Sequence, residues 1–141
     1  KQGASVEGVT YQWAEYGYKS SHSLKLMKSS ARFFPIAGWV QTFPHDGTAR
    51  KLRVQAYVRT VDARKAVLDV SFDGGAEDKQ THEWAAYIGS KDANADPLMH
   101  DWKLYTGTVN VPAGTKQITV SPQIYGSGIV WMDDLRAEFI P

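Results

Sequence analysis

Lys51-Leu52-Arg53-Val54-Gln55-Ala56-Tyr57-Val58-Arg59-Thr60 is the stretch on which the fold reading turns. Apolar residues fall on every second position: Leu52, Val54, Ala56 and Val58 face one way, and Arg53, Gln55, Tyr57 and Arg59 the other. A period of two is that of a strand with one face buried and one solvated. Such strands belong to antiparallel sheets. The same pattern recurs outward in both directions. Val9–Tyr18, Ser23–Met27, Ile36–Phe43, Val67–Asp73, His82–Ile88, Trp102–Val111, Gln117–Tyr125 and Ile129–Phe139 all read as strands. Turn residues separate them, as at Pro44-His45-Asp46-Gly47, Asp73-Gly74-Gly75, Pro112-Ala113-Gly114 and Gly126-Ser127-Gly128. No convincing amphipathic helix appears. About nine short strands with regular turns predict an all-β protein, a β-sandwich jelly roll of two antiparallel sheets. Residues 1–141 read as one domain, without repeat, linker or low-complexity tract.

Composition narrows the function classes. The chain carries 16 basic and 15 acidic residues, a net charge of +1, which gives no basic stripe for nucleic acid. No apolar run approaches the length of a membrane span. There are no cysteines, which excludes disulfide and cysteine–metal frameworks. The first residue is Lys1, as expected of a mature fragment or an excised domain. Five Trp and seven Tyr exceed what a core of this size needs and leave rings for a binding surface.

Catalytic motifs are weak. Asp92-Ala93-Asn94-Ala95-Asp96 opens like a calcium loop, but Pro97 stands where the sharp-turn glycine belongs and Lys103 where the closing Glu belongs. His82-Glu83 begins a zinc-protease pattern that Ala86 breaks. His22, His45, His82 and His100 have no metal-like spacing, and no phosphate loop or nucleophile elbow is present. Glu83, Asp69 and Asp101 could converge as a glycosidase carboxylate pair, although nothing in their spacing favours it.

Two features point further. In the last strand, alternation groups Asp133 with Ile129, Trp131, Leu135, Ala137 and Phe139, and sends Asp134 outward with Met132, Arg136 and Glu138. A carboxylate on a core face needs a partner, a proton or a metal; the alternative is a strand end where both are solvated. The second feature is the set of polar strand faces. Gln55, Tyr57 and Arg59 share one, Thr119, Ser121, Gln123 and Tyr125 another, Trp39 and Gln41 a third, His82 and Trp84 a fourth. United on one sheet, they would set rings against the apolar C–H faces of sugars and amides or guanidinium groups against hydroxyls. The alternative is that Trp39 and Trp84 are core residues.

Several segments in this order carry a family resemblance. They are Ser23-Leu24-Lys25-Leu26 after a Ser/His-rich turn, Gly38-Trp39-Val40-Gln41-Thr42-Phe43, Arg50 to Thr60, Trp102 to Thr115, and Val130-Trp131-Met132-Asp133-Asp134-Leu135. Together they resemble the jelly-roll carbohydrate-binding modules attached to bacterial cellulases and xylanases, in the galactose-binding-like superfamily. The resemblance implies non-catalytic binding of a polysaccharide or oligosaccharide by a secreted, extracellular or cell-surface monomer joined to a catalytic domain. It implies a structural calcium tying the last strand to the chain start, with Asp133 as ligand, Asp134 as second choice and Glu7 from the N-terminal side. It implies a sugar groove at Trp39, Gln41, Gln55, Tyr57, Arg59, Trp84, Gln123 and Tyr125, or else a site in the Gly89–Asp101 connection. A small jelly-roll glycosidase or polysaccharide lyase, and a structural or protein-interaction sandwich, are the competing readings.

Overall fold

A computed structural model describes residues 1–3, 5–15, 17–18, 20–30, 32, 34–74, 80–89 and 98–141. Ten strands follow one another: β1 (Val9–Ala14), β2 (Ser23–Lys28), β3 (Ala37–Gly38), β4 (Gln41–Pro44), β5 (Arg50–Ala63), β6 (Lys65–Asp73), β7 (Thr81–Gly89), β8 (Leu98–Val111), β9 (Gln117–Ile124) and β10 (Gly128–Ile140). They form two antiparallel sheets. One has the order β1-β2-β10-β5-β8, and the other the order β3-β9-β6-β7, with β4 also on β9. The chain passes repeatedly from one sheet to the other, so a β-sandwich is confirmed. Among the described residues no helix is found.

The alternation in β5 works as read: Leu52, Val54, Ala56 and Val58 are fully buried. They meet Ala66, Leu68, Val70 and Phe72 of β6 and Ile118, Val120 and Ile124 of β9 in a single core cluster. Each of the larger side chains contributes roughly 1.5–3 kcal/mol by leaving water. Along one side the sheets close on each other: Asn110 N–H of β8 donates to Glu83 Oε2 of β7 at 3.3 Å. There a Cβ on Gly107 would lie 1.6 Å from the Ala85 carbonyl oxygen. The opposite side stays open as a cleft lined by Gln41, Phe43, Val120, Leu135 and Ala137.

Two expectations are corrected. The single strand expected at Ile36–Phe43 is two strands, β3 and β4, in one continuous register against β9. The interruption lies opposite Pro122, which has no N–H to donate. Trp39 N–H still donates to Pro122 O at 3.1 Å. The Trp39 carbonyl, denied a backbone donor, accepts the Ser121 hydroxyl at 2.6 Å instead.

The last strand also differs. β10 changes register against β5 between Asp133 and Arg136, and Asp134 has φ of 50°. This β-bulge inserts one extra residue and exchanges the two faces beyond it. Before the bulge Val130 and Met132 point into the core, while Ile129, Trp131 and Asp133 pair with Val61, Arg59 and Tyr57 on the outer face. After it, Leu135 and Phe139 pack on the core. Asp133 and Trp131 are therefore not on the core face.

Candidate functional site

The outer face of the β1-β2-β10-β5-β8 sheet collects side chains from four strands and one connection. β5 supplies Gln55, Tyr57 and Arg59; β10 supplies Trp131 and Asp133. Trp131 is paired with Arg59 on one side and with Lys25 of β2 on the other. The Arg59 guanidinium lies 4.7 Å from the Trp131 ring centroid and the Lys25 ammonium 5.2 Å from it. These are cation–π distances. Arg59 Nε is also 3.7 Å from Asp101 Oδ1, an ion pair with an 84% exposed carboxylate. Such a pair orients the guanidinium more than it stabilises the fold.

Beside this row, the Tyr18 ring stacks on Tyr57, with centroids 3.9 Å apart and planes 19° apart. Trp102 of β8 stands next to Tyr18 at 6.1 Å, tilted by 53°. Tyr18, Tyr57, Trp102 and Trp131 are all partly exposed. One sheet face thus presents four rings with Gln55, Lys25 and Arg59 among them. Chemically, it offers flat apolar surface and directional donors side by side.

The expected groove residues do not form one surface. Gln55, Tyr57 and Arg59 lie on the face just described. Trp39 is 8% exposed, packed edge-to-face on Tyr11 at 5.5 Å, with its indole N–H directed at Lys25 O at 3.4 Å. It is a core residue. Gln41 opposes Val120 and lines the open cleft between the sheets. Trp84, Gln123 and Tyr125 belong to the other sheet's outer side. There Lys65 Nζ lies 4.4 Å from both the Trp84 and Tyr125 ring centroids and 5.4 Å from that of Tyr87. Gln123 and Trp84 stand opposite Val67 and Asp69, which are both buried. Asp69 accepts from Ser71 Oγ at 3.2 Å and lies 3.0 Å from His82 Nδ1. Burial, and then the charge of Asp69, push the Tyr125 hydroxyl pKa above its ordinary value. These groups act as a lid over β6.

The expected calcium ligands do not converge either. Asp133 Oδ2 accepts Tyr18 N–H at 2.7 Å and Oδ1 accepts Asp134 N–H at 2.8 Å, while the Ser20 hydroxyl, 3.1–3.2 Å from both oxygens, has its shorter bond to His22 O at 2.7 Å. Each of the two N–H donors takes one lone pair of this carboxylate. Asp134 turns to Arg136, whose Nε donates at 2.9 Å and whose pKa is raised by that bond. Glu7 lies beyond the β1 end paired with Lys28, which in turn opposes Gly128. Gly128 and Asp133 are five positions apart along β10, roughly 16 Å. Asp133, Asp134 and Glu7 therefore do not fit one ion, and among the described residues no group of three or more His, Asp or Glu could hold a metal. The calcium-loop-like Asp92–Asp96 lies outside the described residues, as does most of the Gly89–Asp101 connection; its last residues, from Leu98, belong to β8.

Sequence reasoning missed Tyr18, Lys25, Trp102 and Trp131. Lys25 was readable, because Leu24 and Leu26 flank it on the opposite face. Trp131 was hidden by the bulge, and Tyr18 by a strand reading of Val9–Tyr18, whereas β1 ends at Ala14.

No family model matches the sequence, and no curated protein does. Solved structures do. The family 22 carbohydrate-binding module and catalytic module of the Clostridium thermocellum endo-1,4-β-D-xylanase 10B, complexed with xylohexaose, superpose with a TM-score of 0.67 at 15% identity over 94% of this chain and 24% of that one. The chain thus spans about a quarter of that structure. The family 22 xylan-binding domain of Paenibacillus barcinonensis Xyn10C gives 0.63 at 13% identity, over 96% and 83%. The enzymatically active domain of the bacteriophage CBA120 tailspike protein 4 gives 0.60 at 14%, over 94% and 18%. The fold is that of the carbohydrate-binding modules the sequence resembles.

Proposed function

We propose that this chain is a non-catalytic polysaccharide-binding module whose glycan lies across the outer face of the β1-β2-β10-β5-β8 sheet. The observation that carries the reading is the grouping of Tyr18, Tyr57, Trp102 and Trp131 with Lys25, Arg59 and Gln55 on that one face. Rings cover the C–H faces of pyranoses, while amide, ammonium and guanidinium groups donate to hydroxyls. The likeness to xylan-binding domains supports a β-1,4-linked plant polysaccharide as the first ligand to test. In a secreted parent enzyme the module would work by tethering, raising the local concentration of the catalytic domain on its substrate.

Affinity electrophoresis against soluble xylan, β-glucan, galactan and an acidic glycan tests this directly. Wild-type protein should be retarded by at least one of them. Tyr57→Ala and Trp131→Ala should each weaken that binding about tenfold or more, a loss of about 1.4 kcal/mol. Wild-type mobility unchanged by every glycan, or full binding by the Tyr57→Ala, Trp131→Ala double variant, would refute the reading. Release of new reducing ends from oligosaccharides would show the competing glycosidase activity.

A further inference from the structure

We infer that Asp133 is a positioning residue for this face: it holds the β1–β2 connection down so that the Tyr18 ring is laid on Tyr57. The inference rests on the binding reading above. The Asp133 carboxylate stands directly opposite Tyr57 in the β10–β5 ladder. Its two oxygens accept the Tyr18 N–H and the Asp134 N–H, and the Ser20 hydroxyl, bonded to His22 O at 2.7 Å, lies 3.1–3.2 Å from them. Tyr18 and Ser20 belong to the connection, Asp134 to the bulge. The bulge is what puts the carboxylate here, since it lets an acidic residue stand at the sheet surface beside Tyr57 while the strand beyond returns to the core.

Gly17 permits the approach. A Cβ at that position would come within 2.5 Å of His22 O, 2.6 Å of Ser20 O and 2.9 Å of Asp133 Oδ2. With the Tyr18 N–H fixed at 2.7 Å, its ring reaches the Tyr57 ring at 3.9 Å and stands beside Trp102. Tyr18 lies outside β1 and β2, and this bond ties its backbone to β10. With the bond lost, a ligand would have to order the ring on binding, which costs affinity. Asp133 thus makes the platform ready before the glycan arrives, without touching the glycan itself.

The test combines ring–ring nuclear Overhauser contacts with affinity for soluble xylan, or for whichever glycan of the panel binds. Asp133→Ala should lose the Tyr18–Tyr57 contact and bind about fivefold more weakly. Tyr18→Ala should weaken binding by a similar factor, and the double variant should be no worse than either single, because both remove one device. Gly17→Ala displaces the connection while leaving Asp133 in place. It should reproduce both losses and serves as the second variant where Asp133→Ala fails to fold. A Tyr18–Tyr57 contact that survives Asp133→Ala overturns the inference. So does a lost contact with unchanged affinity, or additive losses in the double variant. Wild-type protein that binds no glycan overturns the binding reading, while the ring contact still decides whether Asp133 sets Tyr18.

Discussion

Replacing Gly107 by Ala tests how rigidly the two sheets are closed along β7 and β8. The new Cβ would sit 1.6 Å from the Ala85 carbonyl oxygen, 2.7 Å from its carbon and 3.2 Å from its Cα. Even the tight end of ordinary contact, 3.4 Å, requires the strands to part by about 1.8 Å. Every atom met is backbone, so no side chain can rotate away. Parting the strands would also lengthen the Asn110–Glu83 bond, already 3.3 Å, and loosen the core around the fully buried Ile88 and Val109. Overpacking of flexible cores costs about 1–3 kcal/mol. With backbone on both sides we expect about 3 kcal/mol or more, after offsetting the roughly 0.4–1 kcal/mol that Gly→Ala gains from the unfolded chain. At about 2–4 °C per kcal/mol for chains near this size, the melting temperature should fall by about 10 °C. Urea unfolding followed by circular dichroism measures the change, with m unaltered. A loss below about 1 kcal/mol would show that the closure is soft and that β7 and β8 separate freely.

Three further outcomes are expected. Ser121→Ala removes the hydroxyl that serves the Trp39 carbonyl, and Pro122 cannot replace it, so unfolding free energy should fall by about 1–2 kcal/mol; an unchanged urea midpoint would contradict this. Trp84→Ala should lower stability by at least the cation–π contribution of Lys65, about 0.5–1 kcal/mol, yet leave glycan affinity within about twofold, since the ring lies on the other sheet; a large affinity loss would place the ligand there. Lys28 is buried, its ammonium donating to Pro35 O and Tyr125 O, and burial lowers its pKa below 10.5. The unfolded state therefore holds the proton more tightly, and stability should rise as pH climbs from the lowered native value toward 10.5. Lys28→Met should lose that rise, so the wild-type protein should gain on the variant through the alkaline range in parallel urea titrations; a falling difference would refute the sign.

The strands could be read because their alternation is enforced by a core. In β5 one misplaced residue would bury an arginine or expose a leucine, so the pattern is strict. The candidate face was legible only where it follows that rule, at Gln55, Tyr57 and Arg59. Gathering Trp84 and Tyr125 onto the same surface failed because a period of two assigns a residue to a side of its strand, not to a sheet. Trp39 failed for a different reason: neighbouring polar residues made it look superficial, whereas β3 runs past the Tyr11 ring and buries it. The Asp133–Asp134 pair was noticed as costly under regular alternation, and that cost was real evidence. Its physical resolution is a break in the alternation that brings Asp133 to the sheet surface, where two backbone N–H groups meet its carboxylate.

The bulge in β10 acts as a phase shifter in the middle of a long strand. Upstream of it, odd-numbered side chains report to solvent; downstream, odd-numbered side chains report to the core. Deleting Asp134 alone would keep every downstream side chain chemically intact yet turn Leu135 and Phe139 toward water and Arg136 and Glu138 toward the core. A single codon thus sets the parity of the whole carboxyl-terminal edge. Length changes at this point should be far less tolerated than substitutions, or than insertions in surface loops, where added length costs little.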